Sequence, residues 1–215
     1  MSNRLIVLVH GFNKNRDDMR FLHRRLSSLG FNVISVDLPT TFGTIDDAVN
    51  SLHLQVSHQI SNARPVSFVA HSMGGLIVRR FSEKYHQMDL DNMVFIATPH
   101  RGSKLADIAN AIPGYSFLFK PIKSLLSESR YSTFPSARSF KIGIIAGNRN
   151  SGVLGGLFLS PESDGRVEVD ATRASDVDDF IVVPFGHQEI HQQALTAELV
   201  VHFLKCGNFN LKNVD

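Results

Sequence analysis

The chain has 215 residues, 43% of them hydrophobic and 20% charged, which suits one buried core and leaves little room for two. Lysine and arginine number 22 against 20 aspartates and glutamates, a net charge of +2 with no basic stripe, which argues against nucleic acid as a partner. A single cysteine, Cys206, excludes an intramolecular disulfide, and the ten histidines are dispersed without a closed ligand spacing, so no metal is expected.

Residues 5–9 form a continuous apolar run that ends at His10-Gly11 and predicts a buried strand. The run is too short for a signal peptide and lacks a small-residue cleavage site. No stretch approaches the roughly 18 apolar residues of a transmembrane helix. A cytoplasmic location is the expectation, and a processed secreted form would look the same. Met19, Leu22, Leu26 and Leu29 recur at helical spacing, with Gly30 placed to close that helix. Residues 31–36 predict a second strand that stops at Asp37-Leu38-Pro39. Thr44 and Asp47 mark a helix start, followed by Ala48, Leu52, Val56 and Ile60 on one stripe.

The alternation continues with a strand at 66–70, a helix at 74–85 and strands at 93–97, 141–146 and 180–183. A closing helix at 190–204 carries Ile190, Ala194, Ala197, Val201 and Leu204 on one stripe. Six apolar strands alternating with helices predict a mostly parallel α/β sheet covered on both faces, with ligands beyond the carboxyl ends of its strands. Two stretches interrupt the rhythm, 103–137 and the glycine-rich 148–168. Both follow strands, and neither requires a separate domain, so the expectation is one domain over 1–215. The segment at about 103–137 is either a cap over the substrate or an ordinary helical crossover.

Ser72 lies between a strong strand and a helix, in Ala70-His71-Ser72-Met73-Gly74-Gly75. Small residues two positions before and after it let strand and helix approach, so that a tight turn aims the hydroxyl outward. A G-x-S-x-G pattern alone is weak, and Ala70 departs from its first glycine. The same serine would also serve as a helix cap. The strand-turn-helix context favours a nucleophile. Such a serine needs a base and preformed donors for an oxyanion. Gly11 allows the first strand to turn sharply, so that the N–H of Phe12 faces the cavity opposite the N–H of Met73. His10 and His71 read as buried, hydrogen-bonded residues and not as the base.

Four segments in this order resemble the α/β-hydrolase superfamily, in particular its bacterial lipase and esterase branch. They are Leu8-Val9-His10-Gly11-Phe12, Ala70-His71-Ser72-Met73-Gly74-Gly75, Ala97-Thr98-Pro99-His100-Arg101-Gly102-Ser103 and Ser163-Asp164-Gly165-Arg166-Val167. The resemblance covers nearly the whole chain and implies an α/β-hydrolase fold. It implies that Asp164 is the acid, in an Asn-Asp-Gly-x-Val-like loop, and that His187 after the last strand is the base. Chain order agrees, because Ser72, Asp164 and His187 follow the sequence of roles in this architecture, each after a strand.

Several residues compete for these roles. Asp170, Asp176, Asp178 and Asp179 read as solvated surface acids, and Glu162 is weaker still. His191, one turn inside the closing helix, is the rival of His187, whereas His100 suits positioning better than a triad role. The implied activity is hydrolysis of carboxylic esters of lipid-like acyl groups through an acyl-enzyme, a cycle in which no metal or organic cofactor has a chemical task. Leu105, Ile108, Phe117 and Ile122 are the candidate substrate-binding residues, with Leu118, Phe119 and Leu125 beside them. A thioesterase, amidase or acyltransferase would share the triad. A non-catalytic binding protein on this fold is disfavoured because all three roles are filled. A nucleotide-binding domain is disfavoured because no glycine-rich phosphate loop follows the first strand.

Overall fold

β1 (Leu5–Val9), β2 (Asn32–Ser35), β3 (Val66–His71), β4 (Leu90–Ile96), β5 (Ile142–Gly147) and β6 (Asp179–Val183) pair side by side in the order β2-β1-β3-β4-β5-β6. Every neighbouring pair is parallel. The computed structural model describes residues 4–62, 65–86, 88–112, 119–126, 133–135, 137–150 and 157–211. From β1 the chain steps to β2 on one side, then returns to place β3 on the other. This reversal opens a crevice between the carboxyl ends of β1 and β3, the usual position for a ligand in an open parallel sheet.

The helices are α1 (Arg20–Ser28), α2 (Ile45–Asn62), α3 (Met73–Lys84), α4 (Lys104–Asn110) and α5 (Ala194–Cys206). Alternate residues of β1 enter different cores. Leu5, Val7 and Val9 pack with Val49 and Leu52 of α2 and Ile77 of α3, whereas Ile6 and Leu8 pack with Leu22 of α1 and Phe203 of α5. All five β1 side chains are fully buried, which explains why the strand is apolar throughout instead of alternating. Among the described residues no helix is long and apolar enough to cross a membrane.

The expected start of α2 is a reciprocal cap. The Asp47 N–H donates to Thr44 Oγ1 at 3.1 Å, and the Thr44 N–H donates to Asp47 Oδ2 at 2.7 Å. Gly30 has φ 81° after α1 as expected, but Leu29 is 45% exposed and leaves the buried stripe.

Two sequence expectations need correction. The closing helix does not begin at Ile190. Residues Ile190–Gln192 form a 3-10 turn, Gln193 is extended at φ −93° and ψ 143°, and α5 starts afresh at Ala194. The expected stripe breaks with the backbone, since Ile190, Ala197 and Leu204 are buried whereas Ala194 is exposed and Val201 half-buried. The acids near the base are also not all solvated. Asp170 is exposed beside Arg101, but Asp178 accepts the Ile142 N–H and Asp179 accepts the Phe209 N–H.

Asp176 is buried outright. Its carboxylate takes two bonds from Arg79, at 2.7 and 2.9 Å, and the Phe134 N–H at 2.8 Å. Arg79 is itself only 4% exposed, and its Nε donates to His100 Nδ1 at 3.1 Å. Burial alone would raise the Asp176 pKa, yet the hydrogen bonds and charge of Arg79 outweigh it and hold the carboxyl below its ordinary value. Removing one partner strands the other charge in the core. Asp176→Ala should therefore lower unfolding free energy by about 3–5 kcal/mol, seen as a lower urea midpoint with an unchanged slope. A carboxyl with a depressed folded-state pKa contributes stability in full above its unfolded pKa and loses it as pH falls through the folded value. The parent and Asp176→Ala urea midpoints should converge on acidification.

Candidate active site

β3 ends at His71, and the chain reverses direction within one residue to begin α3. Ser72 does this at φ 54° and ψ −129°, a conformation that side-chain-bearing residues rarely hold. Its N–H donates to the Ile96 carbonyl at 2.9 Å, and its carbonyl accepts from Gly75 at 3.0 Å. A Cβ on Gly74 would lie 2.6 Å from the carbonyl oxygens of both Val9 and His10, so this position admits no side chain. A Cβ on Gly11 would lie 2.9 Å from the Ser72 Cβ. The small residues inferred from sequence thus let α3 and the β1 turn close on the serine. Ser72 makes no capping bond with its side chain. The helix-cap reading therefore fails.

Its hydroxyl faces His187 instead. Ser72 Oγ lies 3.0 Å from His187 Nε2, and His187 Nδ1 lies 2.7 Å from Asp164 Oδ2. Asp164 is 3% exposed and His187 7%. The other carboxylate oxygen, Asp164 Oδ1, accepts the N–H groups of Arg166 at 2.9 Å and Val167 at 2.7 Å, leaving Oδ2 to the imidazole. Since a carboxylate can only accept, the ring carries its proton on Nδ1 and presents the Nε2 lone pair to the hydroxyl. The main chains are joined as well, with the His187 N–H on the Asp164 carbonyl at 2.9 Å. This is the geometry of a serine-hydrolase triad.

His191 does not compete for Ser72. Its Nε2 lies 3.3 Å from Asp18 Oδ2, on the far side of His71. His71 and His10 are buried and hydrogen-bonded, as expected. His71 Nε2 donates to the His187 carbonyl at 3.0 Å, and His10 Nε2 accepts the Leu38 N–H at 3.0 Å. Burial pushes the pKa of both below the ordinary histidine value. The histidines that look dispersed in sequence are therefore partly gathered, with His71 stacked on His191 and tilted against His187. His100 belongs to the Arg79 cluster.

Met73 opens α3, so its N–H has no carbonyl one turn earlier to satisfy it, while Phe12 follows Gly11 directly. Among the expected wall residues, Leu105 is half-buried, Ile108 is exposed, and Leu125 packs into the core. Phe117, Leu118 and the side chain of Ile122 lie outside the described residues. Phe119 sits edge-on to Phe12 at 6.2 Å and stacks on Phe42 at 5.8 Å. Sequence reasoning passed over Phe42, an apolar residue in a turn and 59% exposed. Its Thr40-Thr41-Phe42-Gly43 setting carries a signal, since an exposed aromatic in a loop needs a contact to explain it.

Residues 6–195 match the Alpha/beta hydrolase family. The chain belongs to that family. Triacylglycerol lipase 2 of Saccharomyces cerevisiae is 33% identical over 90 residues, which is 38% of this chain and 27% of that lipase. The chain thus spans about a quarter of that relative. Among solved structures, the mature Bacillus licheniformis lipase BlEst2 superposes with a TM-score of 0.80 at 22% identity, covering 93% of this chain and 91% of that one. The type II thioesterase BorB superposes at 0.64 with 14% identity, covering 94% and 91%. These likenesses share the α/β-hydrolase fold across different leaving groups.

Gly147 ends β5 directly behind the acid, where a Cβ would lie 2.4 Å from the Phe185 carbonyl oxygen and 2.9 Å from the Asp164 Cβ. Gly147→Ala must push apart the two loops that carry acid and base. Displacements of about 1 Å cost reaction rates about 100-fold. Covalent labelling of Ser72 by a fluorophosphonate should slow by that order in folded Gly147→Ala, followed by peptide mapping over time.

Proposed function

We propose that this α/β-hydrolase cleaves carboxylic esters of apolar acyl groups by two-step acyl transfer. The observation that carries the reading is the unbroken relay from Ser72 Oγ through His187 to Asp164, at 3.0 and 2.7 Å, starting on a strained turn. His187 Nε2 takes the hydroxyl proton as Oγ attacks the ester carbonyl, and Asp164 stabilises the resulting imidazolium. The Phe12 and Met73 N–H groups receive the oxyanion. When the tetrahedral adduct collapses, the bond to the leaving oxygen breaks and His187 gives that oxygen its proton. Water then attacks the acyl-enzyme, gives a proton to His187 and releases the acid, and the proton returns to Ser72.

The acyl group lies along Phe12, Phe42 and Phe119, an aromatic face beside the oxyanion position. α4 and the turn at 120–125, tied by the Ser103 N–H on the Leu125 carbonyl at 2.8 Å, supply one wall. Leu105 and Ile108 of that wall contact substrate only as the chain lengthens. The similarity to a triacylglycerol lipase supports a lipid-like acyl ester over a short polar one.

p-Nitrophenyl esters from butyrate to decanoate test the reading directly. Activity should disappear in Ser72→Ala, and Asp164→Asn should lower kcat by about 10⁴-fold because the imidazole loses its correct tautomer. Retention of parent activity by Ser72→Ala would sink the assignment. Phe42→Ala should lower kcat/KM for decanoate more than for butyrate. A matched thioester and a matched anilide, run beside the oxygen esters, should turn over more slowly if the leaving group is an alcohol.

A further inference from the structure

Behind the base, three side chains from distant parts of the chain converge on one point. Asp18 lies on the 3-10 turn Arg16–Met19, His71 ends β3, and His191 lies on the 3-10 turn Ile190–Gln192. One donor atom from each lies within 4.8 Å of the others. His71 is 3% exposed, His191 1%, and the Asp18 side chain 7%. Asp18 Oδ2 is 3.3 Å from His191 Nε2 and 3.5 Å from His71 Nδ1. Neither contact has good hydrogen-bond geometry, and among the described residues Asp18 Oδ2, His71 Nδ1 and His191 Nδ1 are buried without a well-placed hydrogen-bond partner.

The tautomer of His71 makes this arrangement costly. Its Nε2 faces the His187 carbonyl, which can only accept, so Nε2 carries the proton and Nδ1 is a bare lone pair. A lone pair and a carboxylate oxygen therefore face each other across 3.5 Å in the interior. Two acceptors in that position need a positive charge between them, a proton or a metal ion, and burial disfavours the protonated ring. Ligand bonds of about 2.0–2.2 Å at tetrahedral angles place neighbouring donor atoms roughly 3.3 Å apart, close to the 3.3 and 3.5 Å that separate Asp18 Oδ2 from the two rings. A metal-binding histidine also typically gives its other ring N–H to a carbonyl or carboxylate, as His71 does. Lys14 Nζ, 3.5 Å from Asp18 Oδ1, neutralises the second carboxylate oxygen. A polar cleft of about 410 Å³, lined by Asn13, Lys14, Asn15, Asp18 and Thr41, gives Asp18 access to water.

We propose that Asp18, His71 and His191 bind one divalent transition-metal ion of the zinc type, with a water as fourth ligand. The ion clamps the turn after β1, the strand that carries Ser72 and the turn after His187. It takes no part in acyl transfer, and its occupancy does not depend on which ester, if any, the chain hydrolyses. Ring lone pairs lie in the ring plane, so the 26° between the stacked His71 and His191 rings must widen on loading. Gln192 Nε2, 3.4 Å from His191 Nε2, must withdraw to release that atom.

The test uses full-length protein carrying Cys206→Ser, since the exposed Cys206 thiol would bind zinc on its own account. After chelator treatment and dialysis, calorimetric titration with zinc chloride should saturate at one equivalent per chain, with Tm rising as zinc concentration rises. His191→Ala and Asp18→Asn should each weaken binding by at least about 10-fold. Cobalt(II) offers a readout that needs no further variant, because a four- or five-coordinate nitrogen and oxygen site gives an intense visible band that the aqueous ion lacks. Absence of saturable zinc binding, an aqueous-type cobalt spectrum, or parent affinity in folded His191→Ala would each overturn the proposal.

Discussion

The left-handed backbone at Ser72 costs about 1–3 kcal/mol for a residue that carries a side chain, and the surrounding structure leaves it no other course. Its N–H is fixed on β4 through the Ile96 carbonyl, and the first turn of α3 closes on its carbonyl. Gly74 lets α3 rest on the carbonyl oxygens of Val9 and His10, and Gly11 lets the β1 turn rest on the serine itself. Three parallel strands thus determine one torsion angle. That angle aims the Cα–Cβ bond of Ser72, and the hydrogen bond to His187 sets where its hydroxyl points.

The imidazole is held with similar economy. Its ring is oriented by Asp164 Oδ2, and its main chain is bonded on two sides, through its N–H to Asp164 and through its carbonyl to His71. Asp164 is in turn fixed by the N–H groups of Arg166 and Val167. Loops after β5 and β6 therefore meet as a rigid pair. Their position relative to Ser72 depends on close approach at Gly147 and on the parallel register of β4, β5 and β6.

Much of this was legible from residue pattern, for identifiable reasons. Buried parallel strands are apolar on both faces, so residues 5–9 and 93–97 stand out as continuous runs, and 66–70 as a run interrupted only by Ser67. The Ser72 turn was legible because its crowding demands small residues at fixed offsets. Asp164 and His187 were reached through resemblance and chain order, since a loop acid has no local periodicity to mark it. The closing helix shows the limit of periodicity. Ile190 and Ala194 are spaced as on one helical stripe, yet Ile190 is buried, Ala194 is exposed and the backbone breaks at Gln193 between them, because apolar spacing alone does not report whether a helix is continuous. Contacts between distant residues stayed hidden for a similar reason. Arg79 and Asp176 are 97 positions apart, and nothing local distinguishes a carboxylate that meets a guanidinium in the core from one in solvent.

The strand order also bears on how the molecule is made. Ser72 and the strands that strain it, β1, β3 and β4, all lie before residue 97, whereas the acid and the imidazole follow β5 and β6. A chain emerging from the ribosome can therefore form the serine turn while the ring that would activate it is still unmade. The relay closes only when β6 is laid along the outer edge of β5, at the very end of sheet assembly. Topology thus keeps the Ser72 hydroxyl apart from its imidazole until the last strand of the sheet is in place.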